Sequence, residues 1–242
     1  MRSTSAFCRE LRRWLIYGVA VSLLAQTHGT ADEPKPDDPA PKQILDRMRK
    51  AYADCKTYRD SGVVKVVVVL DTGNHMDERP FTTAFVRPDQ FRFDYKVKNS
   101  RRLIWSNGKA VHTWQDGEPG IQQPESLQLA LAGATGVSGG SAARIPAMLM
   151  PDKLKGWGGV HISDAKRIKD GKLEKVECFR VEGKNVDIPI SLWIDKKSYL
   201  VRRIDEQEKF DNFRTEQTTT YDPIIDEKIT DEMLEFDPPA QK

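Results

Sequence analysis

The sequence predicts an α+β protein that is mainly antiparallel β, with one opening helix and one helical insert. Three observations carry this. Residues 91–98 alternate Phe91, Phe93, Tyr95 and Val97 with Arg92, Asp94, Lys96 and Lys98, the period of two that gives a strand one apolar and one wet face. The dipeptides Asn107-Gly108 and Asp170-Gly171 lie between apolar runs, as in tight hairpins, because both residue types tolerate positive φ. Residues 42–57 and 124–150 instead space their apolar residues as helices do.

In chain order, Arg2, Arg9, Arg12 and Arg13 precede the apolar run Trp14–Ala25, and Gly29 and Ala31 follow with small side chains. That is the pattern of a cleavable secretory signal over residues 1–31. The apolar run is short of the ~20 residues a membrane span needs, so an uncleaved anchor is the weaker reading. Removal of the leader leaves 34 basic and 35 acidic side chains, a formal charge of −1. The basic excess of the whole chain (+2) therefore resides in the leader, and a global nucleic-acid footprint is excluded. Residues 32–41, DEPKPDDPAP, contain no large apolar residue and read as an extended linker. Residues 42–239 then form a single domain.

Within that domain, Ile44, Leu45, Met48, Ala51, Tyr52 and Cys55 share one face of the opening helix. Strands follow at Ser61–Leu70, which is rich in valine, at Phe81–Arg87, and at the alternating segment after Pro88-Asp89. Leu103–Ser106 and Ala110–Trp114 flank Asn107-Gly108. Leu127–Ala132 and Ala142–Met150 are helical, with Pro146 shortening or kinking the second. The β pattern resumes at Val160–Arg167, Leu173–Val181, Ile188–Ile194, Tyr199–Asp205 and Arg214–Tyr221. About ten strands joined by short connections make an antiparallel sheet.

Chemistry-bearing motifs are weak. Gly136-Val137-Ser138-Gly139-Gly140 fits the nucleophile-elbow expression, but the segment before it is helical and the only downstream histidine, His161, falls in a strand. His75, His112 and His161 are far apart and lack metal-ligand spacing. No phosphate-binding glycine loop is present. We therefore read no enzyme, no cofactor and no metal. Cys55 and Cys178, the two cysteines beyond the leader, read as a disulfide in an oxidising compartment, with two separate buried thiols as the alternative. The aromatic residues concentrate on strands. They build either an ordinary core or a concave apolar face that a lipid tail enters.

Five segments in order resemble the LolA/LolB-like superfamily of periplasmic lipoprotein carriers, in particular its divergent lipoprotein-sorting-like members. They are ILDRMRKAYADCKTYRDSGVVKVVV, TTAFVRPDQFRFDY, IWSNGKAVHTW, SLWIDKKSYLVRRID and EKITDEMLEFDPP, spread over residues 42–239. The resemblance implies an incomplete antiparallel barrel, a curved sheet covered by a few lid helices formed by residues 42–57 and 124–150. It also implies a cavity for lipid or lipoprotein acyl chains, lined by Val66, Val68, Phe85, Phe91, Phe93, Tyr95, Leu103 and Trp105. On that basis the protein is a periplasmic carrier, with a membrane-bound donor or acceptor protein as a further partner. The alternative is a non-transporting envelope sensor or protein-interaction module of the same fold. No arginine of the carriers' gating network can be placed on this sequence.

Overall fold

In the computed structural model, residues 38–154 and 157–239 are described. The leader and most of the linker, residues 1–37, lie outside them. Helix α1 (Pro41–Asp54) opens on a proline at its first turn, where no amide hydrogen is needed, and Gln43 Oε1 accepts from the Ala40 amide at 3.0 Å. Its buried stripe is Ile44, Leu45, Met48 and Tyr52, with Cys55 extended at the cap.

Two five-stranded meanders follow. The first is β1 (Thr57–Leu70), β2 (Gly73–Val86), β3 (Gln90–Val97), β4 (Ser100–Asn107) and β5 (Val111–Gln115). After helices α2 (Leu127–Thr135) and α3 (Ser141–Leu149) comes the second: β6 (Ser163–Leu173), β7 (Val176–Asn185), β8 (Ile188–Asp195), β9 (Val201–Lys209) and β10 (Phe213–Tyr221). The short β11 (Ile224–Ile225) and the single-turn helix α4 (Asp231–Leu234) complete the chain.

All pairings are antiparallel, and the long β1–β10 ladder fuses the two meanders into one sheet of order β5-β4-β3-β2-β1-β10-β9-β8-β7-β6, with β11 beside β1. Among the described residues β5 and β6 do not pair, so the sheet stays open. This is the open, helix-covered antiparallel architecture that the resemblance implies. The edge strand β6 carries Lys166, Lys169 and Lys172, charges that discourage further strand addition.

The turn after β6 differs from expectation. Asp170-Gly171 lies inside the strand at a register shift, and the chain reverses at Glu174-Lys175, with Glu174 at φ +52°. Gly171 is needed for another reason: a Cβ there would sit 2.4 Å from the Trp193 ring of β8. Close approach of a side chain, rather than turn geometry, selects this glycine.

Helices α1 and α3 pack together, α1 also meets β6, and α2 packs on α3, β4 and β5. The main core lies between these helices and one face of the sheet, here called the inner face.

Candidate functional site

Strand parity decides which side chains reach the inner face. On β2 and β3 these are Phe81, Phe85, Phe91, Phe93 and Tyr95, all buried. Their rings fill the space they share, with Phe81–Phe93 at 5.8 Å, Phe93–Tyr95 at 5.2 Å and Phe81–Tyr221 at 5.6 Å between centroids. Val66 borders this core, and Val68, two residues on, is half-buried on the same face. Six of the eight expected lining residues thus share one face.

Leu103 and Trp105 do not. Opposite Phe93 on β4 stands Ile104, while Leu103 pairs with Asp94 and Trp105 with Arg92. Leu103 and Trp105 therefore point outward and form a separate cluster with Trp114 and Phe236. A strand moved by one residue exchanges its faces, and the apolar run Leu103–Trp105 does not encode which parity the sheet adopts.

What occupies the concave side is α3. All nine of its residues are buried, and all except Ser141 and Arg144 are apolar. A nine-residue segment with an internal proline and a left-handed glycine at its start is a poor helix by itself. Tertiary packing makes it one. Four polar ties fix it and the turn before it. Arg87, at the end of β2, donates to the carbonyls of Cys55 (2.9 Å), Tyr52 (3.2 Å) and Leu149 (3.1 Å). One guanidinium thereby satisfies the unpaired carbonyl ends of both α1 and α3. Arg79 Nη1 donates to Val137 O at 3.1 Å, and Gln217 Nε2 to Gly139 O at 2.9 Å. Arg144 is bonded to Glu206 on β9, each side chain about 10% exposed. Gly139 has φ +62°, and a Cβ there would lie 2.7 Å from Val64 Cγ1, so the turn fits tightly on β1.

Sequence reasoning missed this set. A lone arginine at a strand end gives no signal of the carbonyls it will meet.

Beneath α1 lies a buried acid. Tyr58 Oη donates to Asp60 Oδ2 at 2.7 Å, and the Tyr52 ring lies 5.6 Å from that of Tyr58. Tyr52 Oη accepts from the Val201 amide at 3.0 Å. Burial pushes the Asp60 carboxyl up to about 6, against the opposing hydrogen bond from Tyr58.

The expected disulfide is not formed. Cys55 and Cys178 are both free and buried. Cys178 alternates with Phe179 and Val181, which enter the core under the helices, so it faces away from the side on which α1 lies. The Cys55 thiol donates to Tyr52 O at 3.2 Å, and burial raises its pKa. Burial and then the nearby Asp195 carboxylate push the Cys178 thiol up to about 11, which makes it a poor nucleophile.

Ser138 is buried in the α2–α3 turn. Its hydroxyl donates to Thr135 O at 3.2 Å and accepts from the Ala142 amide at 3.2 Å, the work of a local cap. Among the described residues no group of three His, Cys, Asp or Glu side chains could hold a metal ion, and no helix is long and apolar enough to cross a membrane.

On the outer face, Trp105 and Trp114 hold Phe236 of the C-terminal segment at 5.5 and 5.0 Å. The guanidinium groups of Arg92 and Arg101 lie 5.6 and 5.4 Å from the same ring. Beside this cluster runs a groove of about 310 Å³ between Arg92, Thr82, Ser61 and Met233. A further hollow of about 630 Å³ shares Ser61, Thr82 and Asp222 with it.

Fold and faces together define an open antiparallel half-barrel with helices against its inner face. The chain belongs to the family described as "Predicted periplasmic protein (DUF2092)", whose model matches residues 41–242, and it is a periplasmic protein. No curated protein matches it. Among solved structures it is similar to a LolA superfamily protein from Nitrosomonas europaea, at 10% identity and TM-score 0.36, over 82% of this chain and 98% of that one. It is also similar to a DUF1329 family protein from Desulfovibrio piger, at 14% identity and TM-score 0.32, over 81% and 98%. The third is the Pseudomonas aeruginosa MucA/MucB complex, at 11% identity and TM-score 0.38, over 81% of this chain and 61% of that one.

Proposed function

We propose that this protein is a periplasmic binding module that holds its ligand without transforming it, and that α3 is the gate of its interior. The observation that supports this is the complete burial of an intrinsically weak, apolar helix on an aromatic sheet face. In the carrier form of this reading, a lipid or lipoprotein acyl chain takes the place of α3 against Phe81, Phe91, Phe93 and Val66. Each methylene would contribute roughly 0.8 kcal/mol. That gain must exceed the loss of α3's own packing and of the ties from Arg79, Arg87, Arg144 and Gln217, so short chains are excluded and long ones admitted.

A second reading is favoured by the filled interior itself. If α3 never leaves, the same fold is a closed scaffold whose partner is met outside, as in a sensor or protein-interaction module. Native mass spectrometry and solvent extraction of freshly purified mature protein separate the two. The carrier form requires co-purifying acyl species, together with amide exchange in residues 141–149 that is much faster than in β1 and β10. Lipid-free protein with α3 protected as well as the sheet rejects it in favour of the scaffold.

A further inference from the structure

The outer face of an open sheet normally meets water and carries polar side chains. Here it carries two tryptophans only 8% exposed, and they are hidden because the chain's end lies over them. After β11, Asp226 Oδ1 accepts from the Lys56 amide and Arg59 pairs with Glu227, which closes the region firmly tied to the sheet. The segment beyond is held differently. The side-chain bonds that bind its backbone come from Arg92, whose Nη1 donates to the carbonyls of Glu232 (3.1 Å) and Glu235 (2.6 Å). Leu234 is buried, and Phe236 enters the Trp105–Trp114 cage.

Charge runs the same way. The seat presents Arg92, Arg101 and Lys96; Asp94 bonds both arginines, Asp116 accepts from the Arg101 amide, and Asp222 lies further along the groove. The segment brings Asp231, Glu232, Glu235 and Asp237. The cluster is separate from the main core, so vacating it leaves the helix–sheet interior intact. The grooves beyond Met233 and Ser61 extend the seat along the same face.

We infer that this seat is a docking site for an acidic linear peptide of a partner protein presenting Leu-x-Phe, and that residues 231–236 occupy it in cis as a resident competitor. The inference does not depend on what the interior binds. An intramolecular segment competes at an effective concentration in the millimolar range, so a partner gains access only when its peptide binds better or when the strap is displaced. Recognition needs few groups: two indole faces and two guanidiniums for the phenyl ring, and Arg92 for the backbone.

The test uses the full mature chain and a fluorescein-labelled peptide of residues 228–239, followed by anisotropy. Phe236→Ala, which empties the cage, should bind the peptide at least about tenfold more tightly than wild type, given the competing strap. The Phe236→Ala chain carrying Trp114→Ala as well should lose that binding, as should a peptide with alanine in place of its phenylalanine. Raising the salt should weaken it, because the peptide's acids are exposed and their attraction to the basic seat is screened. Phe236→Leu, which keeps an apolar cover, should fall between the two and serves if the alanine variant does not fold. Equal affinity of wild type and the emptied variants overturns the proposal, as does no binding to a folded variant. A wild-type dimer that disappears on emptying the cage would assign the seat to a second copy of the chain, and would overturn it equally.

Discussion

The inner and outer faces of this sheet are both covered by segments of the same chain, but to very different depths. On the inner face, α1, α2 and α3 seal a continuous core running from Ile44 to Tyr221, with Phe85, Phe91 and Phe93 wholly inaccessible. On the outer face a single-turn helix and one phenylalanine shield three residues of β4 and β5. Removing the inner cover would open most of the protein's apolar interior to water; removing the outer one would expose a patch. Segments that fill a core are integral to folding, whereas a light cover on a separate cluster can detach while the rest stays folded.

The sharpest way to test this difference is truncation on the inner side. Phe93→Ala should cost about 3–5 kcal/mol, read as a lower urea midpoint with unchanged slope. A loss under about 1 kcal/mol would mean that the inner face is not the core it looks like. Arg144→Met should cost a similar amount, about 3–5 kcal/mol, because Glu206 would remain buried without its charge partner, keeping only the hydrogen bond from Gln217 Nε2. Combining Arg144→Met with Glu206→Leu should recover most of the loss, and a double variant as weak as the single one would show that α3 is not held by this pair.

The buried acid gives a pH signature to the inner side. The Asp60 carboxyl is raised from 3.8 to about 6 in the folded protein. The folded state therefore binds the proton more tightly than the unfolded chain. The associated stability is fully present below about pH 4 and is lost as pH rises through 6. The rise from 3.8 to about 6 corresponds to about 3 kcal/mol. Asp60→Asn should flatten the urea midpoint between pH 4 and 8 and raise stability at pH 8. An unchanged pH profile would assign the dependence elsewhere.

Smaller effects belong to the outer side. Phe236→Ala should cost only about 1–2 kcal/mol, the worth of one half-buried ring and its aromatic contacts. Tryptophan emission should shift to the red as Trp105 and Trp114 meet water. A loss equal to that of Phe93→Ala would erase the contrast between the faces. Smallest of all, reductant should leave the melting temperature of the mature protein unchanged, and unfolding without reductant should release two thiols, since Cys55 and Cys178 are not joined.

Much of this was readable from residue order. The eight-residue alternation from Phe91 to Lys98 located β3 and its buried aromatics, and the spacing Ile44, Leu45, Met48, Tyr52 located the buried stripe of α1. The Asn107-Gly108 pair marked its turn: Gly108 has φ +87°, and Asn107 Oδ1 accepts from the amides of Lys109 and Ala110. Elsewhere the same logic misled. Asp170-Gly171 carries the same turn chemistry, yet the Trp193 ring on a neighbouring strand claimed the glycine. Beta strand β2 extends eight residues earlier than its apolar pattern, because hydrogen bonding to β1 continues through Asn74, His75 and Glu78 where no side chain signals burial.

By itself, the sequence determined the quantities set within a few residues: helical or strand period, turn chemistry, and hence a mainly antiparallel fold with a helical insert. Tertiary structure alone decided the pairing of β1 with β10, the outward parity of Leu103 and Trp105, the separation of the two cysteines and the burial of α3. The reason is one of range. Local periodicity is written into neighbouring side chains, whereas which face becomes the inside is fixed only when segments a hundred or more residues apart meet and exclude water.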